Sequence, residues 1–314
     1  MERVSKISII GAGSVGATIA YACLIRGVAQ NLALYDIDAA KVHAQVLDLN
    51  HGMQFVPMAA VEGSDDLAVC AHSDVIIITA GAKQKPGQTR LDLAQANAAM
   101  CRGLIPELLK VAPDAILLLV SNPVDVLTYI TAKITGIERR VMGSGTVLDS
   151  SRFRFLIAQR CKVAVQNVHA YIAGEHGDSE VPLWSSASIA NIPLGEWAVQ
   201  GHGKLTVRDR TEVFEDVKNA AYQIIQGKGA TSYAIGLATA RIVESILKNE
   251  NRILPVTSLL TDYHGISDVC LSVPCVVNRH GVEPPLPVPM NENELAGLRH
   301  SAETVQNVIR SLGF

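Results

Sequence analysis

Six residues near the amino terminus, Gly11-Ala12-Gly13-Ser14-Val15-Gly16, constrain the fold of this chain more than any other stretch. They follow a β-rich run, Val4–Ile10, and open a run of helical pattern, Val15–Arg26. Between a strand and a helix, three glycines at this spacing do three different things. Gly11 permits a tight turn, Gly13 lets the backbone approach a pyrophosphate, and Gly16 lets the helix pack closely on the strand. The helix N-terminus adds amide donors and a partial positive charge. Asp36 lies 20 residues beyond Gly16, at the end of a second strand expected over Leu32–Asp36. Its carboxylate suits an adenosine ribose and repels a 2′-phosphate, so the motif predicts NAD rather than NADP.

The rest of the first half repeats the alternation. Val75–Thr79, Ala115–Ser121 and Val141–Gly143 read as strands, with helical segments such as Leu91–Leu109 and Val124–Ile134 between them. Alternation of this kind predicts α/β architecture, a Rossmann-type doubly wound parallel sheet. The second half mixes helical patterns (Ser150–Arg160, Thr211–Gln226, Ser232–Leu247, Asn291–Leu312) with a β-rich run, Val269–Asn278. It reads as a separate α+β substrate domain. The expected division is an NAD-binding domain over 1–145 and a catalytic domain over 146–314, and a chain of 314 residues is long enough for two cores.

Charge and cysteine usage exclude several functions. A net charge of −3 offers no basic surface for nucleic acid or an anionic membrane. The apolar runs are too short to span a bilayer, and the one at Ile7 is broken by the glycine motif rather than forming a signal peptide. None of the six cysteines forms a Cys-x-x-Cys pair or a zinc-type cluster, so reduced thiols, no metal and a cytoplasmic location are expected.

A histidine marks the chemistry. Asn167–Ala173 is an apolar run expected to form a strand, and Gly174-Glu175-His176-Gly177-Asp178 follows it. This places His176 where a strand gives way to a loop, a common setting for catalytic groups. Asp149 and Arg152, three apart at the start of a predicted helix, share one helix face. That spacing suits an ordinary surface ion pair. It also lets Asp149 orient His176 while Arg152 grips a carboxylate with its forked guanidinium. The polar segment Gly81–Arg90 follows a strand directed at the cofactor groove and suits a lid, with Arg90 able to polarise a carbonyl. Thr79–Ala82 and Val120–Pro123 end two strands and are expected to line the groove. There Asn122 either meets the substrate or serves an Asn-Pro turn. A proton donor, a cation at the developing oxyanion and a carboxylate anchor are what reduction of a 2-keto acid requires.

In this arrangement the sequence resembles the lactate/malate dehydrogenase family, on its L-lactate branch, along essentially the whole chain. The resemblance rests on the glycine motif, Lys85–Leu93, Ser121–Asp125, Gly143–Asp149, Gly174–Asp178 and Lys228–Tyr233. It implies that His176 is the general acid/base, oriented by Asp149. It further implies that Arg152 binds the substrate carboxylate, Arg90 polarises the carbonyl, and Asn122 and Thr231 line the pocket. An imidazole pKa near 7 then serves both pyruvate reduction and lactate oxidation. The full set expected along the cofactor groove is Gly11, Gly13, Val15, Gly16, Asp36, Lys41, Gly81, Ala82, Val120, Asn122 and Ser144.

Malate enzymes of the family carry an arginine in the lid where this chain has Gln84. A neutral amide suits the methyl end of pyruvate, so lactate is expected over malate. Arg154 and His169 match positions that bind fructose 1,6-bisphosphate across a subunit interface in allosteric bacterial members. By themselves they read as a solvated arginine and a strand-surface histidine. The resemblance implies this effector and a homotetramer. Ten residues precede Gly11, too few for the N-terminal arm of vertebrate relatives. Two rival readings, an NAD-dependent glycosidase and a non-catalytic NAD-binding protein, leave the keto-acid residues unexplained.

Overall fold

The computed structural model describes residues 4–82, 90–199 and 203–314, with only the backbone of Arg90 and Val199. Six parallel strands form its centre: β1 (Lys6–Ile10), β2 (Asn31–Tyr35), β3 (Ala60–Ser64), β4 (Val75–Ile78), β5 (Ile116–Leu119) and β6 (Val141–Gly143). They lie in the order β3-β2-β1-β4-β5-β6. The chain therefore starts mid-sheet and winds outward in both directions, the Rossmann arrangement, with its reversal between β1 and β4. Strands β4 and β5 are buried along their whole length. Their unbroken apolar sequences, Val-Ile-Ile-Ile and Ile-Leu-Leu-Leu, suit a sheet covered on both faces. Each such side chain contributes ~1.5–3 kcal/mol by leaving water.

Helices α1 (Ser14–Arg26), α2 (Ala39–His51), α3 (Arg90–Val111) and α4 (Val124–Thr135) make the crossovers. Beyond β6 come α5 (Val147–Cys161), α6 (Val207–Lys228), α7 (Tyr233–Leu247) and α8 (Glu292–Ser311). Asn291 caps α8 in a reciprocal capping box with Glu294.

The sheet does not stop near residue 145. Thr257 pairs antiparallel with Gly143, so Arg252–Leu260, Val269–Asn278 and Gly281–Pro285 extend it to nine strands. The sequence reading omits β3, α2 and Arg252–Leu260. Strand β3 lies at the sheet edge with only Val61 buried, so it lacks an apolar signature. Arg252–Leu260 carries Pro255, placed opposite Pro274, and a proline argues locally against a ladder strand.

The strand expected over 167–173 is two short ones. Val168–His169 pairs with Ser188–Ile189, whereas Ile172–Ala173 pairs with Val181–Pro182. The run is apolar because Val168, Ala170, Ile172 and Ala173 are all buried, and the change of partner leaves no trace in that pattern.

Candidate active site

The glycine loop is built as its spacing implies. Gly11 has φ +105°, and a Cβ there would lie 2.8 Å from the Ala80 nitrogen. A Cβ on Gly16 would sit 1.9 Å from the Gly11 carbonyl oxygen. Both positions exclude larger residues. Around Gly13 the nearest atom to a built Cβ is Lys41 Nζ at 4.0 Å, so this side of the loop is open. Gly13 also caps α1 without any side chain over the helix amides. Open space against uncapped amides fits a dinucleotide pyrophosphate. Asp36 Oδ2 accepts from Ala12 N at 2.8 Å and Lys41 Nζ at 2.9 Å. Burial raises the Asp36 carboxyl, but the Lys41 bond and the backbone donors outweigh it and hold it below the usual range. Val15 is half-buried beside the open face of the loop.

The loops after β4 and β5 are tied together. Asn97, on α3 and 2 % exposed, accepts from Ala82 N at 2.8 Å and donates to the Asn122 carbonyl at 2.7 Å. Gly81, Ala82 and the Asn122 side chain remain exposed at this edge. Val120 closes β5, its N–H donating to Ile78 O. Ser144 is buried behind them, donating its N–H to Leu119 O. Nothing local in the sequence singles out Asn97. Its only signal is an amide amid the buried face of a helix.

His176 is fixed at two points. Its backbone N–H donates to Asp125 Oδ2 at 2.8 Å, and its Nδ1 lies 2.6 Å from Asp149 Oδ2. Asp125 lies in the first turn of α4, two residues after Pro123, so the first bond anchors the histidine at the carboxyl end of β5. That is the sheet edge where Rossmann ligands lie. Asp125 also accepts from Thr257 Oγ1 at 2.6 Å, which lies 2.9 Å from Ser272 Oγ. Burial pushes the Asp125 carboxyl up to about 6.

Asp149 is almost fully buried, and its second oxygen accepts from Arg152 Nη1 at 2.5 Å. The ion pair that the spacing allows exists, buried rather than on the surface, and the same carboxylate also bonds the His176 ring. Burial pushes the Asp149 carboxyl up, but His176 and Arg152 outweigh it and hold it low. The Asp149 charge raises the imidazole of His176 to about 9, against the opposing effect of burial. This lies above the value near 7 expected from sequence, because burial of Asp149 strengthens its hold on the imidazolium beyond what the bare pairing implies. His176 keeps 30 % of its side chain exposed, and Arg152 15 %.

Thr231 lies in the turn between α6 and α7, half-buried, without a hydrogen bond to His176, Asp149 or Arg152 among the described residues. Residues 83–89 of the lid segment, Gln84 among them, and the Arg90 side chain lie outside the described residues. Arg154 Nε donates to Ala170 O at 2.7 Å, and its guanidinium stacks over Tyr171 at 4.8 Å. It thus reaches the segment directly after His169, whose side chain is exposed. All six cysteines are free and buried. Among the described residues no helix is long and apolar enough to cross a membrane.

Comparisons with known proteins agree with this geometry. Residues 5–143 match the family model for the lactate/malate dehydrogenase NAD binding domain. Residues 146–312 match that for the lactate/malate dehydrogenase alpha/beta C-terminal domain. An L-lactate dehydrogenase of Bifidobacterium animalis subsp. lactis is 54% identical, over 99% of this chain and 98% of the relative. One from Acetivibrio thermocellus is 49% identical over 98% of each. The crystal structure of the minor L-lactate dehydrogenase from Enterococcus mundtii in ligand-bound form superposes with a TM-score of 0.94, at 40% identity over 98% of both chains.

Proposed function

The chain belongs to the lactate/malate dehydrogenase family, and from that membership we infer how its site interconverts pyruvate and L-lactate. The protein is an NAD-dependent oxidoreductase of L-lactate dehydrogenase type. The observation that carries the mechanism is the double anchoring of His176, by its backbone to Asp125 and by its ring to Asp149.

The open glycine loop, the amides of α1 and Asp36 hold the dinucleotide. When bound there, the nicotinamide supplies the hydride. Every other task falls to side chains. Arg152 keeps one nitrogen on Asp149 and offers its remaining N–H groups to the substrate carboxylate. His176 stays bonded to Asp149 through Nδ1, so its Nε2 proton is the one given to the carbonyl oxygen as that oxygen becomes a hydroxyl. Asp149 stabilises the imidazolium before transfer and fixes the tautomer after it. Arg90 meets the developing oxyanion, Asn122 and Thr231 complete the pocket, and Gln84 favours a methyl group over a second carboxylate. In lactate oxidation the same groups run in reverse, with His176 starting neutral.

Residues 1–145 form the NAD-binding domain and residues 146–314 the substrate domain, with His176 held between them. The chain assembles as a homotetramer in the cytoplasm, a setting that suits six unpaired thiols. Arg154 and His169 take fructose 1,6-bisphosphate at a subunit interface. The Arg154 bond to Ala170 supports this, because it links the effector position to the strand that leads to His176.

The decisive assay follows NADH oxidation with pyruvate, oxaloacetate and 2-ketobutyrate, each with and without fructose 1,6-bisphosphate. Pyruvate is expected to lead, and the effector to sharpen its saturation curve at low concentration. Turnover that survives His176→Ala rejects the mechanism, and an unchanged curve rejects the regulation.

A further inference from the structure

His176 belongs to a short loop, residues 174–180, that joins the antiparallel pair Ile172–Ala173 and Val181–Pro182. Three residues of this loop meet one side chain that the reaction above does not use, Ser301 on α8. Ser301 is fully buried. Its Oγ accepts from the Glu175 N–H at 2.6 Å and lies 3.1 Å from Ser179 Oγ. Gly174, at φ +93°, makes the room, since a Cβ there would stand 2.7 Å from Ser301 Oγ. Ser179 in turn gives its hydroxyl proton to Glu175 Oε2. A hydroxyl has one proton to give, so Ser301 is the donor in its contact with Ser179. The bonds therefore close a ring. It begins at the Glu175 N–H, passes through both hydroxyls and ends on the Glu175 carboxylate. Bonds linked in this way polarise one another.

The next residue is His176, whose N–H goes to Asp125 on α4 at 2.8 Å. Two successive amides thus tie the loop to two different helices, Glu175 to α8 and His176 to α4. We propose that Ser301 is a positioning residue, which through the ring on Glu175 sets where the His176 imidazole stands. The role is exercised through His176 and rests on the reading of His176 as the proton donor. Asp149 fixes the direction of the imidazole, but a side chain can only be as well placed as the backbone that carries it. Without the Ser301 hydroxyl, the Glu175 N–H loses its acceptor and the peptide leading into His176 is held from the Asp125 side alone. A displacement of about 1 Å at a reacting group is enough to cost ~10²-fold in rate.

The test compares Ser301→Ala with Ser179→Ala, which opens the ring but leaves the Glu175 N–H bonded. Measured per folded site, kcat for pyruvate should fall about 10- to 100-fold in S301A and about 3- to 10-fold in S179A. KM for pyruvate should stay within about threefold of wild type, because Arg152 on α5 is untouched. A serine that merely stabilised the fold would lower the folded fraction and leave kcat per site where it was. A second readout needs no turnover. The proton between His176 Nδ1 and Asp149 Oδ2, 2.6 Å apart, resonates far downfield in the NMR spectrum, and it should move upfield in both variants as the imidazole leaves its place. An unmoved resonance overturns the proposal, and so does a kcat per site that changes by less than about twofold. If the wild type does not turn over pyruvate, the lactate reading fails and the resonance alone decides whether Ser301 places the ring. If S301A does not fold, S179A, altered at a half-buried loop position, supplies both readouts, and the same two outcomes overturn the idea.

Discussion

Asp149 Oδ2 stands 2.6 Å from His176 Nδ1 while its other oxygen holds Arg152 at 2.5 Å. One buried carboxylate thus orients both the imidazole and the guanidinium. Asp149→Asn should lower kcat/KM for pyruvate by about 10²- to 10⁴-fold. It should also bring the His176 titration down from about 9 toward 6.5. An alkaline limb that does not move in the pH–rate profile would show that Asp149 does not set the imidazole.

The direction of the pH dependence follows from that same pair. Reduction needs the imidazolium, so pyruvate turnover should fall as pH rises through about 9. Lactate oxidation needs the neutral ring and should rise over the same range. Stability follows a related rule. The folded-state pKa of His176 is raised above its ordinary 6.5, so its stabilising contribution is complete below 6.5 and is lost as pH climbs to about 9. Denaturant unfolding of wild type and His176→Asn across this window should show the two curves converging with rising pH.

Cofactor preference rests on Asp36 and its partner Lys41. Asp36→Ser removes an acceptor expected to serve the ribose and frees Lys41 Nζ, now held at 2.9 Å, to meet a 2′-phosphate. NADH affinity should fall about 10- to 100-fold, the worth of charge-assisted hydrogen bonds. The NADPH/NADH ratio of kcat/KM should rise. A ratio left unchanged would place the selectivity elsewhere.

Thr257 reaches from the antiparallel extension of the sheet to Asp125, the group that anchors the His176 backbone. Thr257→Val keeps the shape and removes the hydroxyl. It should cost about 1–3 kcal/mol by leaving a buried acceptor short of a donor. Activity should fall with it, because His176 loses part of its support. Thermal unfolding and steady-state rates check the two effects separately.

We propose Gln84 as the residue that sets substrate choice. Gln84→Arg supplies a countercharge for a second carboxylate and should move preference from pyruvate toward oxaloacetate. The ratio of kcat/KM for the two acids is the readout. An unmoved ratio would reject Gln84 as the discriminator.

The nucleotide half and the grouping of Asp149 with Arg152 were legible in the sequence because their signals are local. The glycine loop and Asp36 lie within one strand–helix–strand unit, and Asp149 and Arg152 are three residues apart on one helix turn. Such spacings translate directly into geometry. Tertiary structure alone decided the rest. The Asp125 anchor lies 51 residues from His176, and the Asn97 clamp joins loops through a residue 25 positions from Asn122. The split of the 167–173 run depends on which strand each half pairs with. The proton affinity of His176 depends on which charges share a space shielded from water. That is a through-space property, and it becomes readable only once folding has brought Asp125 and Asp149 against one loop.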